Sequence, residues 1–271
     1  MSGLNAPQQA AVAYVEGPLL VLAGAGSGKT KVITEKIAHL IHSKTFPPEQ
    51  IAAITFTNKA AREMRERVAK RISKTAAEAV TVTTFHSLGL QFLQAEAKLA
   101  GLRRGFSIFD TDDQQGILKE LLPAGADKDA LYAAHNWISK IKNLALSPGQ
   151  AAETAATVRE RQIAELYARY QARLQTFNAV DFDDLIRLPL QVLEADVQAR
   201  TRWQAKIRYL LVDEYQDTNA SQYLLVKLLV GMRHQFTVVG DDDQSIYAWR
   251  GARPENLMQL KEDYPSLKVV M

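Results

Sequence analysis

The chain has no cysteine, which excludes a disulfide framework, thiol catalysis and cysteine-built zinc sites together. Histidine is also sparse: five scattered residues offer no spacing for an imidazole metal centre, so any metal is expected on oxygen ligands. No apolar run approaches the ~18 residues that a membrane span needs. The opening MSGLNAPQQ lacks the charged-then-apolar form of a secretory leader, and a cytoplasmic protein is expected. Net charge is small as well, since 33 basic against 30 acidic side chains leave +3, too little to argue for a polyanionic partner from totals. What remains is an ordinary globular composition, 47% hydrophobic and 23% charged, in 271 residues, a length near two domains.

The two ends of the chain read as α/β. Leu19 to Leu22 is a short apolar run entering a glycine-rich turn, and Ile33, Ile37, Leu40 and Ile41 then recur at the spacing of one helix face. Ile51 to Thr57 predicts a second strand, followed by a helix capped by Asn58 with Ala61, Met64, Val68 and Ile72 as its buried stripe. Val80 to Thr84 is a β-branched third strand. Tyr209 to Val212 and Phe236 to Val239 are further strands, separated by an amphipathic stretch from Tyr223 to Leu229. Alternating strands and helices imply a parallel sheet covered on both faces.

Between residues 86 and 194 no apolar strand run is evident, while helical spacing persists at Ile117-Leu118-Leu121-Leu122 and through Ile163, Leu166, Tyr167, Tyr170 and Leu174. The expected organisation is an α/β domain over 1–85 and 195–271, interrupted by a mostly helical insertion over 86–194. Gly101 to Gly105, Leu122 to Ala126 and Ser147-Pro148-Gly149 read as loop-like joints of that insertion. Its 12 basic and 14 acidic residues put the positive excess on the α/β part.

Chemistry concentrates at the predicted strand ends. Ala23-Gly24-Ala25-Gly26-Ser27-Gly28-Lys29-Thr30 is a glycine-rich turn between strand and helix, whose backbone N–H groups would cradle phosphate. Lys29 would reach the β/γ-phosphates and the Thr30 hydroxyl would join Mg²⁺. Ala23 stands where the motif usually has its first glycine, a harmless exchange if φ there is negative. Asp213 and Glu214, delivered by the apolar run Leu210-Leu211-Val212, suit a water-mediated Mg²⁺ ligand and the base that accepts the proton of an attacking water. Gln244, after the last strand, is placed to contact a γ-phosphate, while Asp241, Asp242 and Asp243 before it read equally well as an exposed turn. Gln8 offers one acceptor and two donors suited to an adenine edge.

A second set of residues suits a polynucleotide. From Thr55 to Thr75 there are seven Lys or Arg and two Glu. Phe56, Phe85, Tyr247 and Trp249 each follow a predicted strand closely enough to stack on unpaired bases, each stack worth ~1–3 kcal/mol, with at least one of the four expected in the core.

Taken in order, Leu4-Asn5-Ala6-Pro7-Gln8, AGAGSGKT at 23–30, TFTNKAAREM at 55–64, TFHSLG at 84–89, DFDDL at 181–185, LLVDEYQDTN at 210–219 and VVGDDDQSIYAWRGA at 238–252 resemble the motif series of the superfamily-one DNA helicases of the UvrD/PcrA/Rep group, the Rep type most of all. The resemblance implies a RecA-like P-loop NTPase domain with a helical subdomain, 1B, inserted in it. It implies a motor that uses ATP and Mg²⁺ to move 3′ to 5′ along single-stranded DNA and open duplex at single-strand/duplex junctions, in replication-fork progress or restart with replisome proteins as partners. By position it assigns Gln8 to adenine, residues 23–30 to the phosphates, Asp213 to Mg²⁺, Glu214 to the catalytic base and Gln244 to the γ-phosphate. Phe56, Thr57, Asn58, Thr84, Phe85, His86, Tyr247 and Trp249 match the group's single-strand contacts, and Arg250 a residue coupling that surface to nucleotide.

The group continues into a second RecA-like domain, so this chain reads as the N-terminal half of a motor. It is expected to bind nucleotide and single strands weakly, to hydrolyse ATP slowly and not to unwind alone. Two other classes fit the same residues: a nucleotide-switched single-strand-binding module, and the motor part of a helicase–nuclease.

Overall fold

A computed structural model describes residues 3–24, 26–241 and 255–271. The first elements are α1 (Ala6–Ala13), β1 (Leu19–Leu22), α2 (Lys29–His42), β2 (Ile51–Thr55), α3 (Asn58–Ala69), α4 (Lys74–Ala79), β3 (Thr81–Thr84) and α5 (Phe85–Ala95). Then come β4 (Ser107–Phe109), α6 (Thr111–Leu121), α7 (Lys128–Asn143), α8 (Pro148–Thr154), α9 (Val158–Thr176), β5 (Ala179–Asp181) and α10 (Asp184–Ala195). The chain closes with α11 (Val197–Lys206), β6 (Tyr209–Val212), α12 (Ala220–Val230), β7 (Phe236–Gly240), α13 (Glu255–Asp263) and β8 (Lys268–Val270). These fall into two compact units, one of Met1–Leu88, Val197–Asn219 and Val226–Met271, the other of Gly89–Asp196 and Ala220–Leu225.

The first unit is built on a six-stranded sheet in the order β3-β2-β6-β7-β1-β8, every described pair parallel. β2, β6 and β7 are buried along their whole length, as strands covered on both faces must be. Leu19, Val21, Ile51, Ala53, Leu211 and Val239 pack on one face with Val32, Ile33 and Ile37 of α2 and Met64 and Val68 of α3. The alternating residues Leu20, Ile54, Leu210, Val212 and Val238 are buried on the other. Full burial of one such side chain contributes about 1.5–3 kcal/mol, which fixes the register. In that register Leu22 pairs with Gly240, Val212 with Val238 and Ile54 with Val212. The loops that follow β1, β2, β6 and β7 therefore leave the sheet along one edge.

Helix α1 is tied to α2 by Lys36, which is buried and donates to the carbonyls of Ala11 and Tyr14. Burial, reinforced by Lys268, lowers this amine to about 7. Two local expectations shift by a residue. β3 starts at Thr81, and the cap of α3 is Thr57, whose hydroxyl accepts from the Ala60 N–H while Asn58 is already helical.

The second unit is helical around Ile117, Leu118, Ile138, Ala164, Tyr167, Tyr170, Leu174 and Ala179. It also holds a parallel pair absent from the sequence reading, β4 with β5, in which Ile108 faces Val180. Each strand has three residues, too short for an apolar run to register. Ser147-Pro148-Gly149, expected as a loop, begins α8 instead: Ser147 caps it, with Gln150 completing a capping box and Pro148 in the first turn.

Two close arrangements hold this unit together. Lys142, fully buried, sits 2.6 Å from Asp181 and 3.0 Å from Asp184, and Arg187 lies 3.1 Å from Asp184. In α10, Pro189 has no N–H to offer the carbonyl of Leu185 four residues back. Gly89 packs against that carbonyl so tightly that a Cβ there would stand 1.7 Å from the oxygen.

Candidate nucleotide-binding and nucleic-acid site

The turn after β1 needs its glycines. Gly26 has φ +76 and Gly28 has φ 83 and ψ 26, left-handed backbone that costs a Cβ-bearing residue about 1–2 kcal/mol. Ala23 is outside the positive-φ set, so its exchange for glycine carries no strain, and its N–H donates to the Gly240 carbonyl at 3.1 Å. Ser27 folds back on Gly24, its N–H at 3.3 Å and its hydroxyl at 2.6 Å from the carbonyl. Ala25 lies outside the described residues. The turn delivers the N-terminus of the 14-residue α2, whose first turn contains no acidic side chain. Free N–H groups and the helix dipole there favour an anion.

Lys29 and Thr30, in that first turn, both meet carboxylates from far along the chain. Thr30 Oγ1 donates to Asp213 Oδ2 at 3.2 Å. Lys29 Nζ lies 3.3 Å from Asp241 Oδ2, with both side chains buried. Asp241, for which the sequence left an exposed turn as an equal reading, is an interior partner of the lysine. Asp213 extends the sheet, its N–H donating to Ile54 at 2.9 Å, and burial followed by the neighbouring Glu214 charge raises its carboxyl to about 6. The Glu214 N–H, the Thr30 hydroxyl and Lys29 oppose that rise without cancelling it.

Glu214 has φ 51 and ψ 44, a left-handed conformation unusual for glutamate. The turn behind it sustains the geometry: Asp217 N–H donates to the Glu214 carbonyl at 2.9 Å and Thr218 N–H to that of Tyr215 at 3.1 Å. Such strain typically costs about 1–3 kcal/mol and concentrates at functional positions. The Glu214 carboxylate accepts from Gln216 Nε2 at 2.7 Å. Gln216 was not among the residues singled out from sequence, although it lies inside the same motif.

Among the described residues no group of three or more acidic or histidine side chains forms a metal cage. One carboxylate and one hydroxyl at a helix N-terminus instead suit a hard cation that takes most of its ligands from phosphate and water, as Mg²⁺ does. Gln8 lies against the turn. Its Nε2 donates to the Ser27 carbonyl at 2.9 Å, and its Oε1 accepts from Asn5 N–H at 3.0 Å in the capping box of α1. One amide N–H is thereby committed to the phosphate turn and one remains for a base.

Of the strand-facing candidates, Phe56 is half-buried, Thr57 and Asn58 are exposed and His86 is half-buried. Phe85 is the aromatic expected in the core: it is 1% exposed, with its ring 5.3 Å from that of Phe56 at 56°. Its burial leaves it no face for a base, and it acts as the support beneath Phe56. Thr84 is buried too, and its hydroxyl is used at the start of α5, where it accepts from Ser87 N–H at 3.1 Å and donates to Ser87 Oγ at 3.0 Å. Lys59, Arg62, Arg65 and Arg67 are exposed on α3, which starts at this edge, and Lys70 is exposed at its C-cap. Gln244, Tyr247, Trp249 and Arg250 lie outside the described residues.

Comparison with known proteins adds the following. The model of the UvrD/REP helicase N-terminal domain matches residues 4–265. The chain is 55% identical over 269 residues to the ATP-dependent DNA helicase Rep of Escherichia coli (strain K12), covering 98% of this chain and 40% of that protein. It is 54% identical over 269 residues to the same-named protein of Salmonella typhimurium, with the same coverage. It is 43% identical over 273 residues to the ATP-dependent DNA helicase PcrA of Leuconostoc citreum, covering 100% of this chain and 36% of that protein. The chain thus spans about 40% of the length of the curated relatives it matches.

Proposed function

Because the chain belongs to the UvrD/REP helicase N-terminal domain family, we propose that it is the nucleotide-binding and single-strand-binding part of an ATP-dependent 3′–5′ DNA helicase of the Rep type. Its first unit has the RecA-like α/β fold of that family, with a parallel sheet. The observation that carries the proposal is the 3.2 Å hydrogen bond from Thr30 to Asp213, which unites the phosphate turn with the acidic pair across 183 residues of sequence.

In this reading the N–H groups of residues 24–30 and the Lys29 ammonium bind the triphosphate, which competes with Asp241 for the lysine. Thr30 and Asp213 would hold Mg²⁺. When bound, that ion offsets phosphate charge and orients the γ-phosphoryl group. Glu214 accepts the proton of the attacking water, and its left-handed backbone points the carboxylate away from the path of a continuing strand. Gln8 orients the adenine, and Gln244 senses the γ-phosphate. Phe56, backed by Phe85, stacks on an unpaired base, Thr57 and Asn58 contact the backbone, and the basic face of α3 supplies phosphate contacts. Tyr247, Trp249 and Arg250 complete the strand contact and its coupling to nucleotide. Residues 86–194 are read as the family's 1B subdomain, and the cytoplasm as the compartment.

Measuring ATP turnover of the complete gene product with and without single-stranded DNA tests the proposal. Strong stimulation and strand separation on a 3′-tailed duplex are expected. Turnover indifferent to DNA favours a nucleotide-switched binding module instead. The 271-residue chain alone is expected to bind both ligands weakly and to separate no duplex, because an arginine supplied by another domain is worth ~10³–10⁵ in such reactions.

A further inference from the structure

The amide of Gln216 joins two parts of the site that the sequence motifs treat separately. It is buried in the turn after Glu214. Its Nε2 donates to Glu214 Oε2 at 2.7 Å, while its Oε1 accepts from the backbone N–H of Asp241 at 2.9 Å. Asp241 is in turn the residue whose carboxylate meets Lys29. Gly240 makes the approach feasible, since a Cβ there would stand 3.0 Å from Gln216 Oε1 and crowd it.

Each end of this amide has a definite chemical meaning. The acceptor end is held by the backbone N–H of Asp241, the residue that follows β7, next to Gly240, whose carbonyl accepts from the Ala23 N–H. The donor end therefore presents an N–H at a fixed point, and the flexible Glu214 side chain is held against it. A carboxylate held by one oxygen keeps its second oxygen for a water proton.

We infer that Gln216 is a positioning residue for hydrolysis, anchoring the Glu214 carboxylate to the end of β7 so that its remaining oxygen faces the attacking water. This rests on the reading of Glu214 as the base and deepens it.

The test uses the complete gene product with saturating single-stranded DNA. Gln216→Met keeps length and volume and removes both hydrogen bonds. It is expected to lower kcat for ATP hydrolysis ~10–100-fold, the usual range for groups that orient a reacting residue, with KM for ATP and affinity for a fluorescent ADP changed less than about threefold. Gln216→Glu keeps the acceptor for Asp241 but sets a second carboxylate against Glu214. Ionising the pair becomes costlier, so the acid limb of its pH–rate profile moves to higher pH by roughly one unit, a displacement that a purely structural role would not produce. In a Glu214→Gln background, adding Gln216→Met is expected to have no further effect on the residual rate.

A Gln216→Met enzyme with kcat within twofold of the parent and an unmoved pH profile for Gln216→Glu, beside an inactive Glu214→Gln, overturns the inference alone. An active Glu214→Gln enzyme overturns the reading of Glu214 and the inference with it. If Gln216→Met does not fold, the pH profile of Gln216→Glu decides.

Discussion

Asp213 in the first unit and Asp184 in the second are both at most 5% exposed, yet their surroundings drive them in opposite directions. Burial and the adjacent Glu214 raise Asp213 to about 6, and its hydrogen-bond donors do not make up the difference. Burial opposes charge on Asp184 as well, but Lys142, Arg187 and Gln171 overcome it and hold this carboxyl at about 2. One unit keeps a shortfall of positive charge around Asp213, and the other pairs Asp181 and Asp184 with cations of its own. A buried carboxylate left short of positive charge is a site awaiting a cation, whereas one enclosed by its own partners is a structural joint. Asp181 and Asp184 of the motif DFDDL, which resembles part of a motor's signature, belong to the second kind in this fold: Asp181 also accepts from Tyr170 at 2.8 Å and Asp184 from Gln171 at 3.1 Å.

Four measurements sharpen or break this contrast. The largest effect is expected at the site: Lys29→Ala or Glu214→Gln in the complete gene product should reduce DNA-stimulated ATP turnover at least ~10³-fold while leaving single-strand affinity nearly unchanged. Normal turnover in either variant would end the role assignment. Next, Lys142→Met strands Asp181 and Asp184 without their shared cation and should destabilise the second unit by about 3–5 kcal/mol, read as a lower denaturant midpoint. Should Lys142→Met be neutral instead, the cluster is not the joint described.

Gly89→Ala should cost about 1–3 kcal/mol, because the added methyl meets the Leu185 carbonyl and the backbone must move. A melting temperature within 1 °C of the parent, on the order of a negligible change, would show that α10 yields freely. The smallest effect concerns Asp183. Burial and then Asp181 raise its carboxyl to about 7, so ionising it works against the fold. Its contribution is most favourable below the ordinary carboxylate range, declines as pH rises and levels off above about 7. Asp183→Asn should therefore be neutral near pH 4 and stabilise by about 1 kcal/mol at pH 8, a figure reduced for the side chain's partial exposure. A gain of equal size at both pH values would contradict the assignment.

Much of the first unit was legible because long-range burial writes itself into short apolar runs. Leu19 to Leu22, Tyr209 to Val212 and Phe236 to Val239 all mark strands of the sheet, and a strand followed by glycines and Lys-Thr identifies its own helix. β8 left no comparable trace, since Lys268, Val269 and Val270 pair on one side only, at the sheet's edge. β4 and β5 were invisible for want of length, and α8 was hidden by a proline and a glycine that mark a helix start as readily as a loop. At the candidate site, residues proposed to face a ligand stood out by type and spacing. Gln216 and Asp241 did not, because an amide and an acid gain their meaning only from what the tertiary fold sets beside them. Phe85 and Thr84 show the converse: their types suit a strand contact, but packing and capping use them first.

The strand order carries a cost in time. Among the described residues β1 pairs with β7 and β8 alone, which follow it by roughly two hundred positions or more. At ~5–20 residues per second, a ribosome leaves Leu19 to Leu22 without a strand partner for about 10–40 s. During synthesis this greasy tetrapeptide waits on transient contacts or chaperones for its strand partners, and the middle of the sheet closes late and all at once.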